Sequence, residues 1–182
     1  LYSKAEQSDK ALQTYLHAAS LYEQKNATNK AIALYNHVLK LYSNTHTAWS
    51  SLASCYLALD KEAEAAECFR KQAEAYQRGG HFGSAIDALL KSLAIKPTQS
   101  GLWLNLSKLY VVRHDTKEAV VVLEEGLFHA ESTGDWTGCQ ELAAALLKLV
   151  PEHLGAFRLV AHASLALEQT KQALTWLRQA FR

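Results

Sequence analysis

The chain has 182 residues, 49% of them hydrophobic, with 8 glycines, 2 prolines, 3 cysteines and no methionine, enough to bury a core as one domain or as a short helical array. Nineteen basic residues against 18 acidic ones leave a formal net charge of +1. The two signs are mixed along the sequence, which argues against a polyanion such as nucleic acid, and against a membrane surface, as the partner.

In chain order, residues 11–24 predict a first helix whose apolar stripe is Tyr15, Ala18, Ala19 and Tyr22. Asn26-Ala27-Thr28-Asn29 is a turn, and Ala31, Tyr35 and Val38 begin a second stripe that ends near Tyr42. Ser43-Asn44-Thr45 breaks the chain and can cap a third helix. In that helix, about 47–59, Trp49, Leu52, Ala53 and Tyr56 fall at i, i+3, i+4 and i+7 on one face; in a fourth, about 61–78, Ala65 and Phe69 do the same. Small Ala53 and Ala65 stand where two helices must approach closely, and Trp49, Tyr56 and Phe69 fill the space around them.

The fourth helix also opens another hairpin through Phe69, Ala73 and Tyr76, whose second half is Ala85, Leu89 and Leu93, closing at Pro97. The overlap recurs downstream. Trp103, Leu106, Ser107 and Tyr110 with Ala119 and Leu123 form a clear hairpin; Leu123 and Leu127 open a weaker one that continues through Cys139, Ala143 and Leu146 to Pro151. A last pair carries Phe157, Val160 and Ala161, then Ala173, Leu177 and Ala180. Three columns keep one 54-residue spacing: Trp49, Trp103 and Phe157; Ala65, Ala119 and Ala173; Ala31, Ala85 and Cys139. The unit is therefore three helices. The alternative is that residues are missing at two equivalent places, which would restore pairs. An odd number of helices per unit swaps layers from one unit to the next, so corresponding residues need not line one groove. Glycines after helices in Gly79-Gly80-His81-Phe82-Gly83 and Ser132-Thr133-Gly134-Asp135-Trp136 are placed to take positive φ.

The stretch from Trp49 to Phe69, W-x2-L-A-x2-Y followed by A-x3-F, resembles the tetratricopeptide repeat (TPR), with Ala53 in the place of the family's small glycine, and Tyr15 precedes Trp49 by the family's 34-residue period. The resemblance is also strong from Trp103 to Leu123 and extends over nearly the whole chain; the 54-residue unit looks like bacterial three-helix TPR arrays. It implies an all-α, right-handed α-α superhelix of about ten antiparallel helices, one solenoid over residues 1–182, acting as a non-catalytic scaffold or adaptor that holds a peptide segment or partner helix in its groove. In TPR grooves, ligand contacts come from opening-helix positions beside the apolar stripe. Here these are Leu16, His17 and Ser20; Ser50, Ser51 and Ser54; Leu104, Asn105 and Lys108; and Arg158, Leu159 and His162. The Lys and Asn clamp of the chaperone-tail-binding subfamily is absent, since Leu16, Ser20 and Ser51 stand at its positions. Self-association as a structural module and RNA binding by a helical repeat are the alternative functions, and the near-neutral charge argues against RNA.

The search for chemistry returns little. No apolar run approaches the ~20 residues that cross a bilayer, and the N-terminal residues lack a signal-peptide layout, so the expected location is cytoplasmic, without membrane insertion. Cys55, Cys68 and Cys139 have no C-x-x-C spacing and read as small core residues. No two of the eight histidines are spaced i, i+4, so no metal or other cofactor is expected. Glu124-Glu125 reads as a solvated face, and Arg70-Lys71, flanked by Glu67 and Glu74, as intrahelical ion pairing. The chain opens at Leu1 and closes inside a helical pattern, which reads as a piece of a longer protein; Leu174, Leu177 and Phe181 would form an apolar edge there, inviting more chain or self-association through the last helix.

Overall fold

A computed structural model of the chain describes residues 2–180. These residues form ten helices and no strand: α1 (Tyr2–Gln24), α2 (Thr28–Leu41), α3 (His46–Leu57), α4 (Glu62–Arg78), α5 (Phe82–Ile95), α6 (Ser100–Val112), α7 (Thr116–Thr133), α8 (Trp136–Leu149), α9 (Leu154–Ala166) and α10 (Thr170–Ala180). Helix α1 starts well before the expected Ala11, because residues 2–10 are rich in good helix formers although they carry no apolar stripe. Phe181 lies outside the described residues.

Three kinds of turn connect the helices, and they rotate in fixed order. In the first, Asn26, Gly80 and Gly134 take φ of 55°, 74° and 71°. The next residue bonds back across the helix end: Ala27 N–H to Tyr22 O, His81 N–H to Tyr76 O and Asp135 N–H to Ala130 O, each 2.9 Å. The second kind places Asp60, His114 and Glu168 at φ of 55°, 63° and 60°, with Lys61 N–H on Tyr56 O, Asp115 N–H on Tyr110 O and Gln169 N–H on Ser164 O. Both are Schellman closures, in which a left-handed residue lets the chain satisfy the last helical carbonyls as it reverses. The third kind leaves α2 and α8 through extended residues, φ −133° at Tyr42 and −131° at Val150. The first two kinds recur every 54 residues, so the three-helix unit is a feature of the backbone as well as of the side-chain pattern.

By packing, the helices fall into two compact units, Leu1–Ile95 and Lys96–Arg182. In the first, α1 packs on α2, α2 on α3, α3 on α4 and α4 on α5; in the second, consecutive helices from α6 to α10 pack likewise, and α6 also meets α8. Short turns between packed neighbours make them antiparallel. The small-residue columns sit at the tightest places: Ala31, Ala65, Ala85, Ala119, Cys139 and Ala173 are all buried. Trp103 is buried and Trp49 half-buried, and each indole N–H donates to the carbonyl six residues before it, on Pro97 (2.7 Å) and Ser43 (3.1 Å), tying the aromatic anchor to the preceding turn.

Polar groups reinforce the first unit. The Glu23 carboxylate on α1 accepts from the Tyr35 hydroxyl on α2 and from the Cys55 thiol on α3, both at 2.9 Å, so three helices share one acceptor. Arg70 pairs with Glu67 and Glu74, and Lys71 with Glu74 at 3.4 Å, which is the intrahelical pairing expected for this face. In the second unit Glu124 does more than face solvent. His153 caps α9 by accepting Ala156 N–H on Nδ1 (3.0 Å), which leaves Nε2 to donate to Glu124 at 3.0 Å.

Two substitutions test the close approaches. A Cβ on Gly126 would lie 2.7 Å and 2.8 Å from Trp103 Cβ and Cγ, whereas one on Gly101 meets nothing. Gly126→Ala is expected to lose about 1–2 kcal/mol net despite the better helix propensity of alanine, and Gly101→Ala to gain up to about 1 kcal/mol, as read from denaturant midpoints. Glu168→Gly should relieve the left-handed strain and raise the melting temperature by about 2–4 °C; an unchanged or lower melting temperature would contradict the strain assigned to that turn.

Candidate partner-binding site

A surface hollow of the second unit lies where α6 meets α8. Turning from α6 through α7 to α8 brings two helices of like direction side by side, and the hollow between them encloses about 570 Å³. Its α6 wall is Leu104, Ser107, Lys108, Val111 and Val112; its α8 wall is Glu141, Ala144, Ala145, Lys148 and Leu149, with Leu123 of α7 at the floor. Val111 and Val112 are exposed, and so are Lys108, Glu141 and Lys148. The hollow therefore offers apolar surface bordered by two cations and one anion, a composition that can seat apolar anchors and orient a carboxylate.

A second hollow of about 370 Å³ lies between α9 and α10, where Arg158 and His162 stand among Leu154, Phe157, Leu165 and Leu177. His162 meets the Trp136 ring edge-on at 4.9 Å, and Arg158 reaches Glu131 at 3.8 Å. In the first unit a hollow of about 350 Å³ is formed by Asn36, Trp49, Tyr56, Glu64 and Glu67 around Leu52.

The positions singled out from sequence distribute unevenly over these features. Leu104 and Lys108 line the α6–α8 hollow, while Asn105 beside them is half-buried and engaged with a partner of its own. Arg158 and His162 fall in the α9–α10 hollow, a different place from Lys108, and Leu159 is buried in the helical packing. Of the α1 set, Leu16 packs against the core, His17 is exposed and the Ser20 hydroxyl donates to His17 O at 2.8 Å. On α3, Ser54 donates to Ser50 O at 3.3 Å within the helix, and Ser51 hydrogen-bonds the Tyr35 hydroxyl of α2. Of the α1 and α3 positions singled out from sequence, Leu16, His17, Ser20, Ser50, Ser51 and Ser54, none lines this hollow of the first unit. The α8 wall escaped the sequence reading, which took α8 as the closing half of a hairpin. A signal was present, since Glu141, Ala144, Ala145 and Lys148 recur at i, i+3, i+4 and i+7 beside the core stripe.

The described residues contain no group of His, Cys, Asp and Glu that could hold a metal ion, and no helix long and apolar enough to cross a membrane. All three cysteines are free and buried. Burial, and for Cys55 the acceptor bond to Glu23, pushes Cys55 and Cys68 up to about 12 and Cys139 to about 11, from an ordinary 9.0. Burial likewise pushes the Tyr35 phenol up to about 12. These groups bind their protons more tightly folded than unfolded. The stability they contribute is fully present below pH about 9 and is lost as pH rises toward their folded values. Folding stability should therefore fall progressively above pH about 9, and at pH 8 a thiol reagent such as Ellman's should label the cysteines only on unfolding; a fast-labelling thiol in the native protein would refute their placement.

The tetratricopeptide repeat family matches residues 12–45 and 46–77, which span the α1–α2 and α3–α4 hairpins. Among solved structures, one of MamA is 16% identical, with 90% of this chain and 92% of that chain covered and a TM-score of 0.35. One of YrrB, described as a TPR protein with an unusual peptide-binding site, is 18% identical over 99% of this chain and 90% of that one, with a TM-score of 0.34. PilF of Pseudomonas aeruginosa is 14% identical over 92% and 89%, also at 0.34. No curated protein sequence matches the chain. At those scores the structural neighbours carry no argument, and the family model reaches only the first part of the chain: residues 12–77 are two tetratricopeptide repeats, carried by the α1–α2 and α3–α4 hairpins.

Proposed function

We propose that this chain is a non-catalytic adaptor whose α6–α8 hollow grips an apolar, acid-bearing segment of another protein. Tetratricopeptide repeats are protein-interaction scaffolds, and the observation that supports a specific place is the chemistry of this one hollow. Apolar side chains from two adjacent helices border it, and Lys108 and Lys148 stand on opposite walls. An apolar anchor from the partner would displace water from Val111, Val112 and Leu149, worth about 25 cal/mol per Å² buried. The two lysines would orient a carboxylate, and Glu141 would disfavour a second one placed nearby. The walls belong to packed helices, so little ordering accompanies binding. Both a helix laid in the groove and an extended segment satisfy this pattern. A cytoplasmic setting is part of the same reading, as is the separation of Arg158 and His162 from the groove.

Selection from displayed libraries of helical and extended peptides, with the whole chain as bait, tests the proposal. Recovered ligands are expected to carry an acidic residue beside Leu, Phe or Ile, and to bind the Lys108→Glu, Lys148→Glu double variant at least about tenfold more weakly, or about 1.4 kcal/mol. Ligands that bind this variant as well as the parent, with helicity unchanged, would place the binding surface elsewhere.

A further inference from the structure

The aromatic column Trp49, Trp103 and Phe157 is completed differently in each repeat of the period. Trp103 carries the His129 ring stacked on it, with centroids 5.5 Å apart and planes 15° from parallel. Phe157 has the Trp176 ring against it at 6.3 Å. Trp49 is half-buried and has no ring partner among the described residues. Ala75 stands at the place of His129 and Cys68 at that of Trp176, so neither kind of partner is supplied here.

Beside Trp49 is the hollow of about 350 Å³ between α2, α3 and α4. Trp49 and Tyr56 give it aromatic walls, Glu64 and Glu67 carboxylates, and Asn36 an amide. The walls are flanked within the chain, by α1 on α2 and by α5 on α4, so this opening does not depend on where the sequence begins or ends. Arg70 holds Glu67, through Nε at 2.7 Å, whereas Glu64 makes no ion pair among the described residues. One carboxylate beside two aromatic rings is therefore uncompensated. The pair Glu64 and Glu67 is also peculiar to this place: Glu118 and Val121 stand there one period on, Gln172 and Thr175 two periods on. Where the chain lays its own ring on the column aromatic, the second carboxylate is lost.

We propose that this hollow is a binding site for an arginine side chain of another protein. A guanidinium is flat and permanently charged, so it can lie on the Trp49 indole as His129 lies on Trp103, and its edge can deliver two N–H donors to the Glu64 carboxylate. A lysine ammonium meets the charge but has no flat face. A neutral aromatic has the face but leaves the carboxylate unmatched. None of the described arginines borders the hollow. Tetratricopeptide repeats are protein-interaction scaffolds, and the hollow lies wholly within the two repeats of residues 12–77, which makes a partner protein the source. The site is distinct from the α6–α8 hollow and stands whether or not that hollow binds a segment.

The test follows the Trp49 indole N–H of the whole chain by NMR, its signal identified by its loss in Trp49→Phe, during titration with N-acetyl-arginine methylamide at constant ionic strength. Saturable movement of that signal is expected at roughly millimolar concentrations, as suits a ligand of this size, with the Trp103 signal unmoved. Glu64→Gln should weaken binding about fivefold and Glu64→Lys at least about tenfold; Glu64 is exposed, so both variants should keep the parent helicity. The citrulline analogue, which keeps the shape without the charge, and the lysine analogue, which keeps the charge without the plane, should each bind at least about fivefold more weakly. Absence of a saturable shift overturns the proposal, as do Glu64 variants that bind like the parent. A lysine or citrulline analogue that binds as well as arginine overturns the assignment to a guanidinium. The Lys108→Glu, Lys148→Glu double variant should bind the arginine probe unchanged, and weakening there would place the probe in the α6–α8 hollow and overturn the site. Sedimentation showing self-association that Glu64→Lys abolishes would make a second copy the source of the arginine and overturn the assignment to another protein.

Discussion

The architecture depends on how each helix is ended. Six of the eight turns within the two units close on a left-handed residue, and only two of those six are glycine. Asn26, Asp60, His114 and Glu168 hold φ between 55° and 63°, a conformation that costs an L-residue roughly 1–2 kcal/mol, less for asparagine and aspartate. The cost is met because the following N–H recovers a helical carbonyl and the next helix is delivered antiparallel onto the one before. The other two, after α2 and α8, leave through extended backbone. Since the three kinds alternate in strict order, each helix enters its neighbours from one of three fixed geometries, and the side chains that must be small are fixed with them.

That constraint explains where the molecule is tight and where it is open. Buried alanines, and Cys139 in the same column, stand where two helices close on each other. Gly126 and Gly138 go further, giving up the Cβ altogether so that Trp103, Leu142 and Ser100 can pass. Such approach of α7 and α8 to α6 leaves α6 and α8 flanking a hollow that neither fills, because their facing positions include Ser107, Val111, Ala144 and Ala145, too short to meet across it. The groove is the complement of the close packing behind it. Filling it with larger residues would cost binding surface, and loosening the packing behind would cost its shape.

Much of this was legible in the sequence. Period-3.6 stripes located all ten helices, and columns of identical spacing revealed the three-helix unit, because burial on both sides constrains residue size more strictly than it constrains anything else. Gly80 and Gly134 announced their turns; Asp60, His114 and Glu168 did not, since their left-handed backbone is imposed by the tertiary hairpin against the preference of the residue. The start of α1 was missed for the opposite reason: intrinsic helix propensity operates there without an apolar stripe. The candidate site was read less well. Family mapping assumes that opening helices alone line a groove, whereas α8 supplies half of this one, and the assumption placed Lys108 and Arg158 together although they border different hollows. Leu159 illustrates the same limit, because a position beside a stripe becomes core as soon as a second neighbour covers it.

A three-helix unit changes what a repeat protein can offer. With two helices per unit, every opening helix presents the same face and one kind of groove is extended. With three, the same translation carries Leu104 to Arg158 and Lys108 to His162, and the hollow in which each pair stands is bounded by different neighbours: α8 in one case, α10 in the other. Substitutions at equivalent positions are thereby freed from serving a single ligand. Exposed residues at one place can vary independently of those at another, while the buried columns beneath both remain nearly invariant in size. The three-helix period thus separates the residues that specify the fold from those that can diversify recognition.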